Sequence, residues 1–430
     1  MEYIENIRKD VFLQRYAIYF GGSMVVAFLN YLFHPILGRL LSPASFGDIQ
    51  ALISILTQAG VLLGAFSIVA VNITTNVENH KERDAVISEL QKIAFYIVVV
   101  ASILVLVFSQ TLQEFFNFTS VSPFFGLALI LPLIVAVTFR NAYLQGSGRF
   151  VELSLGGIVS SSGRLLLSAG LILLGWGLFG AVAGLVLAQV ALLIYLVFKT
   201  RDTLHLTFSS SIHVLEKGRV KEEIIYGFLV LFSTLLVAVM YTSDVLIVKR
   251  YFDAHDAGIY SGISAIAKII FFVVAPVATV MLSSIKLKQS FKENRKTLLK
   301  SLLIAIGVGV ASLSTFYLFY DMVVRVLIGE NYLSLGYLLP KAGLVMLLSA
   351  ILNVLVFYFL ALRRYVLVWV SCIGIITMFL LVGLYHETIS DILNAIIISI
   401  TGIIIILVSI YAKAVSYTHL RAHETKANLV

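Results

Sequence analysis

Long, uninterrupted hydrophobic runs dominate the 430-residue chain, and short polar segments separate them. About twelve runs are long enough to cross roughly 30 Å of hydrocarbon as an α-helix. They lie at 14–37, 47–72, 91–112, 121–141, 151–174, 177–198, 223–248, 258–285, 298–320, 335–361, 365–386 and 390–412. A membrane-spanning β-strand needs only about ten residues of alternating character. The pattern therefore predicts an all-α membrane protein with about 12 transmembrane helices.

The composition excludes an ordinary soluble protein. Hydrophobic residues make up 60% of the chain and charged residues 13%, against roughly 25% charged in a typical globular domain. Cys372 is the single cysteine, which excludes an internal disulfide or a cysteine metal cluster. We expect a binding protein rather than an enzyme, without a metal or another cofactor; proton or sodium coupling is not visible in the sequence.

The basic residues predict the orientation of the helices. With a cytoplasmic amino terminus, and with the residues beyond Lys413 left out, the inside segments hold 22 Lys and Arg residues and the outside segments hold 5. Such a bias is the usual positive-inside pattern, and it places both termini in the cytoplasm. It also accounts for the net charge of +8 without a nucleic-acid partner, since the charges are spread over many short loops.

A duplicated hairpin predicts two similar halves. The segment from Leu37 to Asp48 recurs as Val248 to Ile259, with Arg39 matching Arg250 and Gly47 matching Gly258 at an offset of 211 residues (250 − 39 and 258 − 47). Transporters are commonly built from such repeats. We predict two parallel six-helix lobes around a central cavity. Their bounds are 1–198 for helices one to six, 199–222 for a cytoplasmic linker and 223–412 for helices seven to twelve.

The last segment, 413–430, departs from the hydrophobic pattern. Its stretch from Ser416 to Thr425 is similar to translated sequencing-adapter read-through. We expect this tail to be non-native and do not take residue 412 as the natural end of the chain.

Three motifs resemble one family of exporters. They are Arg39-Leu-Leu-Ser-Pro-Ala-Ser-Phe-Gly47, the stretch from Ser243 to Tyr260, and Arg140-Asn-Ala-Tyr-Leu-Gln-Gly146 with a fifth helix ending near Gly175-Trp-Gly-Leu-Phe-Gly180. Together they resemble the polysaccharide exporters, which are lipid-linked oligosaccharide flippases of the superfamily that includes multidrug exporters and the lipid II flippase. The resemblance implies two bundles that rock between inward-open and outward-open states in the cytoplasmic (inner) membrane.

The same resemblance implies the partners. The cargo is an isoprenoid pyrophosphate-linked oligosaccharide used for cell-surface polysaccharides such as O-antigen, and the surroundings are membrane lipids. Contact with a glycan polymerase or with glycosyltransferases stays open.

Two cations inside the predicted helices suggest a site for the pyrophosphate. Arg164 lies near the middle of helix five and Lys268 well inside helix eight, with no acidic residue within a turn or two on the same helix. A basic group at the bilayer centre costs roughly 2.5 to 3.5 kcal/mol, so each should face protein or water. The alternative for Arg164 is a hydrogen bond to Asn30 or Asn72. For Lys268 it is an ion pair with Asp244, although we expect Asp244 to pair with Lys249 or Arg250.

Weaker candidates surround this pair. Arg15 precedes the first helix and suits headgroup capture, while Asn30, Asn72 and Asp244 are candidates for lining the cavity. Interfacial anchoring is nevertheless the simplest interpretation of Arg15, and also of Arg39, Arg140 and Arg250.

Two other functions stay open. A multidrug exporter of the same superfamily carries organic cations and needs carboxylates in its cavity, where only Asp48 and Asp244 come close. A membrane glycan polymerase needs a large outer loop with catalytic residues, and the longest predicted outer loop is 321–334.

Overall fold

Twelve long α-helices make up the part of the chain that the structure, a computed structural model, describes. The backbone is described over 11–77, 79–204, 218–285 and 291–427. Side chains are described over 21–75, 77, 79–204, 227–282, 284–285 and 293–412. No β-strand occurs within these ranges, and the prediction of an all-α fold is confirmed.

The helices are numbered α1 to α12 in chain order. Their bounds are α1 Val11–Leu40, α2 Pro43–Asn76, α3 His80–Val107, α4 Ser122–Gly146, α5 Phe150–Leu171, α6 Gly177–Thr200, α7 Gly218–Tyr251, α8 Ala254–Ser284, α9 Phe291–Leu327, α10 Leu339–Ala361, α11 Val366–Leu384 and α12 Ile389–Ala427. A short helix, Ser109–Phe115, follows α3, and a 3-10 helix, Glu330–Leu338, precedes α10.

Eleven segments among the described residues are long and apolar enough to span a membrane. The count is eleven and not twelve because Phe150–Thr200, which contains both α5 and α6, is counted as one segment. The chain is a multi-pass membrane protein.

Local chemistry explains where several helices begin and end. Ser42 caps α2 by accepting a hydrogen bond from the Ser45 amide, and Pro43 occupies the first turn, where no backbone donor is needed. Between α5 and α6 the regular helix is interrupted at Gly175 and Gly177, whose φ angles are 90° and 50°. Residues that carry a Cβ atom are strained at positive φ, whereas glycine is not. These two glycines therefore allow the chain to reverse direction between α5 and α6 over a few residues.

Some helices extend past their hydrophobic runs. α3 begins at His80 rather than at 91, because Asn79 caps it and ion pairs support its polar first turns. Arg83 pairs with Asp84 at 2.8 Å, and Lys92 pairs with Glu89 at 3.3 Å. The backbone of α12 continues to Ala427, since neither proline nor glycine interrupts it after Gly402.

The chain packs as two compact units. The first comprises Met1–Leu231, Val245–Ile266 and Asp321–Tyr337, and the second comprises Phe232–Asp244, Ala267–Tyr320 and Leu338–Val430. α8 and α9 therefore each contribute one end to the first unit and the remainder to the second, whereas α7 contributes both ends to the first unit and its middle, Phe232–Asp244, to the second. The lobes 1–198 and 223–412 were predicted as moving bodies; packing in one conformation does not test them, and they stay a prediction.

Small residues bring α5 close to α1 and α6 in the first unit. Gly157 of α5 packs on Val26 of α1, and Gly184 of α6 packs directly on the backbone of Ser168. The Ser168 hydroxyl donates to the Ala181 carbonyl at 3.0 Å. These close crossings fix the position of the α5 face that carries Arg164.

In the second unit, α12 packs on α10 and α11. Aromatic stacking joins α7 to α8, with the rings of Tyr241 and Phe271 at 4.2 Å between centroids. The Lys341 ammonium donates to the Ser390 hydroxyl at 2.5 Å.

Candidate functional site

The two copies of the duplicated hairpin pack against each other. Their turns, Leu41–Ser42 and Phe252–Asp253, lie at one face of the first unit, here named the hairpin face. A Cβ atom on Gly47 would lie 2.8 Å from the Cα of Gly258. Gly258 in turn packs on the Pro43 carbonyl with no room for a side chain. The glycines of the repeat therefore allow a backbone contact that alanine would obstruct.

A buried ion pair lies beside this contact. The Lys249 ammonium is 2.5 Å from the Asp48 carboxylate, and both side chains are 0% exposed. The other carboxylate oxygen of Asp48 accepts hydrogen bonds from the backbone amide (3.0 Å) and the hydroxyl of Thr119. A buried ion pair is stable only when further hydrogen bonds satisfy its remaining atoms, and Asp48 meets that condition.

The segment after the short helix closes over the lysine. Asn117, at a φ of 51°, donates from its side chain to the carbonyls of Lys249 (3.1 Å) and Phe252 (3.2 Å). Its own carbonyl accepts from the Lys249 ammonium at 3.2 Å, and the Phe118 ring lies 4.6 Å from that ammonium. We name Asp48, Lys249, Asn117 and Thr119 the hairpin cluster.

Arg164 has a different environment. Its guanidinium donates one hydrogen bond, at 2.8 Å, to the side-chain oxygen of Asn30 on α1 and stacks over the Phe33 ring at 4.5 Å. Of the two partners considered from the sequence, Asn30 is the one bonded. Neither Asn30 nor Phe33 carries a negative charge, and the Nε atom of Arg164 is buried without a hydrogen-bond partner among the described residues.

Arg164 also lines a cavity of about 210 Å³ within the first unit, here named the lobe cavity. Residues of α2, α4, α5 and α6 form its wall: Ile53, Leu56, Thr57, Ile130, Ile134, Ser160, Arg164, Leu185, Ala188 and Gln189. No acidic side chain is among them. The cavity thus combines a cation, a few neutral polar groups and a mainly aliphatic wall.

Lys268 pairs with Asp244 in the second unit, at 3.7 Å. The expectation that Asp244 pairs with Lys249 or Arg250 was wrong. Helical side chains lean toward the amino-terminal end of their helix, and α7 and α8 run in opposite directions. Asp244 and Lys268 therefore lean toward each other, which closes an axial offset that appeared too large from residue numbers.

The remaining predicted residues lie apart from these groups. The side chain of Arg15 is outside the described residues, although its backbone belongs to α1. Asn72 is half-buried on α2 and does not bond Arg164. The Arg39 guanidinium donates to the Val326 carbonyl at 2.5 Å, and the Arg250 guanidinium lies over the Phe115 ring at 4.4 Å.

Sequence reasoning missed the hairpin cluster and Gln189. A signal for the first was present: an acid follows Gly47 in one copy of the repeat, and a lysine precedes Arg250 in the other. If the copies pack on each other, these unmatched charges meet. A signal for Gln189 was also present, since it is an amide side chain in the middle of an otherwise apolar stretch of α6.

Comparison with known proteins agrees with this architecture. Residues 12–282, more than half of the chain, match the family model described as Polysaccharide biosynthesis protein. A putative O-antigen transporter of Shigella flexneri is 24% identical over 303 residues, which cover 69% of this chain and 72% of that protein.

Among solved structures, the lipid II flippase MurJ in an inward closed conformation aligns with a TM-score of 0.74 at 13% identity, over 92% of this chain and 87% of MurJ. An inward-facing multidrug resistance MATE family transporter of the MOP superfamily aligns with a TM-score of 0.72 at 16% identity, over 90% and 94%. These likenesses establish the fold, and the family match confirms the resemblance seen in the motifs. The chain belongs to the polysaccharide biosynthesis protein family.

Proposed function

We propose that this protein is a flippase that moves a lipid-linked oligosaccharide precursor from the inner to the outer leaflet of the cytoplasmic membrane by alternating access. Family membership, the similarity to a putative O-antigen transporter and the fold shared with a lipid II flippase support the proposal. The cargo is an isoprenoid pyrophosphate-linked oligosaccharide, and the site contributes binding rather than covalent chemistry.

One observation carries the choice of an anionic cargo. Arg164 lies in a membrane-spanning segment, and its hydrogen-bond partner is the neutral Asn30. Intramembrane charges are costly and usually mark a transport pathway. A pyrophosphate supplies the negative charge that the neighbours of Arg164 lack, and Lys268, already close to Asp244, is the secondary contact.

The surroundings of the two candidate carboxylates argue against a multidrug exporter. The two carboxylates that a cationic drug would use, Asp48 and Asp244, are 0% exposed and paired with Lys249 and Lys268. The likeness to MATE transporters concerns the fold alone, at 16% identity. A drug-susceptibility panel in an expressing strain separates the two functions: a broad gain of resistance favours the multidrug exporter.

The basic residues support an orientation with both termini in the cytoplasm, so the hairpin face is the outer face. Arg15, near the cytoplasmic end of α1, is the residue that we propose for capturing headgroups. Outward passage of two negative charges gains roughly 5 kcal/mol per 100 mV of inside-negative potential, which is enough to favour export without ATP.

The test is glycan export by strains carrying Arg164→Ala, Lys268→Ala and the double variant at equal protein levels. We expect Arg164→Ala to lower surface glycan by more than about tenfold, which corresponds to roughly 1.4 kcal/mol of lost binding, and Lys268→Ala to lower it less. Arg325→Ala is the matched control, because Arg325 is 59% exposed and pairs with the exposed Glu330. Normal export by both single variants and the double variant contradicts the cationic site.

A deletion strain tests the polymerase alternative. Accumulation of exported but unpolymerised repeat units favours a glycan polymerase, whereas accumulation of the lipid-linked precursor in the inner leaflet favours a flippase.

A further inference from the structure

The lobe cavity is built by pairs of residues one helical turn apart. On α5 the pair is Ser160 and Arg164, and on α6 it is Leu185 and Gln189. On α2 the pair is Ile53 and Thr57. Residues spaced by four lie on one face of a helix. Several helices therefore present a face to one volume, and the polar members of those faces meet there.

Hydrogen-bond donors exceed acceptors in this cavity. Arg164 has five N–H donors and uses one of them, to Asn30. Within the described part of the chain, the Gln189 amide and the Ser160 hydroxyl make no hydrogen bond to another residue, although both line the cavity. The Thr57 hydroxyl already donates to the Ile53 carbonyl at 2.8 Å.

The charge in the cavity is not balanced by protein. A cation removed from water costs several kcal/mol unless an opposite charge and hydrogen bonds compensate it. Asn30 and Phe33 hold the guanidinium in one orientation, but both are neutral and do not compensate its positive charge. The missing component is an anion that accepts several hydrogen bonds at once.

We propose that the lobe cavity binds one compact oxyanion, a phosphate group, with Arg164 as its counter-charge and Gln189 and Ser160 as additional donors. Phosphate oxygens accept several charge-assisted hydrogen bonds from a guanidinium. At about 210 Å³, the cavity is smaller than the roughly 300 to 1,000 Å³ of drug-sized sites. It admits a phosphate group while a sugar chain stays outside.

This inference deepens the proposed function in one respect, since a lipid-linked pyrophosphate is one source of the group and free phosphate is the other. The binding site itself rests only on the cavity and its donors, and it is testable without any transport assay.

The test measures thermal unfolding of the purified full-length protein in detergent with increasing inorganic phosphate. Potassium gluconate, whose anion carries a carboxylate and no phosphate group, keeps the ionic strength constant. A ligand that binds only the folded protein raises its unfolding midpoint, and we expect a rise of roughly 3 °C at saturating phosphate.

Two variants remove the site in different ways. Arg164→Gln deletes the counter-charge, and Gln189→Glu supplies an internal carboxylate in a nearly unchanged volume. Both should lose the phosphate-dependent rise. Gln145→Glu makes the same chemical change at an exposed position on α4, and it should keep the full rise.

Three results overturn the proposal: no rise in the wild type beyond gluconate, an undiminished rise in Arg164→Gln and Gln189→Glu, or an equal rise with chloride in place of phosphate. If Gln189→Glu fails to fold, Gln189→Leu and Arg164→Gln decide the matter.

A second arm identifies the source of the phosphate. The titration is repeated in lipid nanodiscs with and without a polyisoprenyl phosphate lipid. A smaller phosphate-dependent rise when that lipid is present supports the site and assigns it to the lipid-borne phosphate. An unchanged rise supports the site and assigns it to free phosphate. Phosphate binding combined with normal glycan export in a deletion strain refutes the proposed function and leaves the site intact.

Discussion

Two cations inside the first unit have opposite surroundings. Lys249 is fully buried, 2.5 Å from the Asp48 carboxylate, and is enclosed by Asn117 and Phe118. Arg164 has a neutral hydrogen-bond partner, a neutral aromatic ring and a cavity on its remaining side. The first charge is cancelled by protein and therefore contributes to structure. We propose that the second charge is available to a ligand. Whether a basic residue in a membrane helix has a structural role or a ligand-binding role can thus be judged only when its partner is known.

Lys268 is intermediate between these two. Its ammonium lies 3.7 Å from Asp244, and 11% of its side chain is exposed. This separation is beyond hydrogen-bond length. The two charges therefore compensate each other, but no hydrogen bond between them fixes the position of the Lys268 ammonium. We therefore assign Lys268 a smaller share than Arg164 in holding the cargo.

Removing one partner of the hairpin cluster should produce the largest loss of stability. Lys249→Met leaves the Asp48 carboxylate buried without its counter-charge, which typically costs about 3 to 5 kcal/mol. Thermal unfolding in detergent measures the loss. The double variant Asp48→Asn with Lys249→Met should recover most of it; an equally unstable double variant means that packing, and not charge, is responsible.

A smaller loss is expected in the second unit. Lys268→Met should cost about 1 to 3 kcal/mol, because Asp244 loses a looser partner. The same unfolding measurement applies. A loss equal to that of Lys249→Met removes the distinction between a locked and a loose ion pair.

The exposed pair Arg325–Glu330 gives a reference for surface charge. Its separation is 2.7 Å, but the side chains are 59% and 69% exposed. Arg325→Gln should change stability by about 0 to 1 kcal/mol, with no effect on export. A loss of stability above that range shows that the Arg325–Glu330 pair contributes more than an ordinary surface ion pair.

Arg164→Gln should leave stability essentially unchanged. The substitution removes one hydrogen bond to Asn30, worth about 1 kcal/mol, and also removes an unbalanced charge that opposes folding. The two contributions have opposite signs. Unfolding in phosphate-free buffer is the measurement, and a loss as large as that of Lys249→Met refutes the contrast between the two cations.

The sequence predicted the helices far better than their side-chain partners. Continuous hydrophobic runs located all twelve long helices, because only a helix or a closed β-barrel satisfies the backbone within a bilayer and barrel strands are short and alternating. The glycines of the Gly175–Gly180 motif marked the break between α5 and α6. Helix ends in polar segments, such as the start of α3 at His80, were missed because ion pairs extend the helix past its apolar part.

Candidate residues were easier to predict than their partners, although Asn30 was correctly among the partners considered for Arg164. Arg164 was identified because it is a lone cation in an apolar helix. The Asp244–Lys268 pair was judged too distant, since residue counts ignore the direction in which side chains lean. The hairpin cluster and the lobe cavity depend on how separate helices cross, which no spacing along one helix reveals.

The proposed function requires that Arg164 holds the anionic group of a lipid-linked glycan. Its most direct test is mass spectrometry of lipids that co-purify with the protein in native membrane particles. We expect an isoprenoid pyrophosphate-linked glycan with the wild type and with Gln145→Glu, reduced at least about tenfold with Arg164→Gln. Equal amounts of the glycan lipid with the wild type and with Arg164→Gln contradict the account.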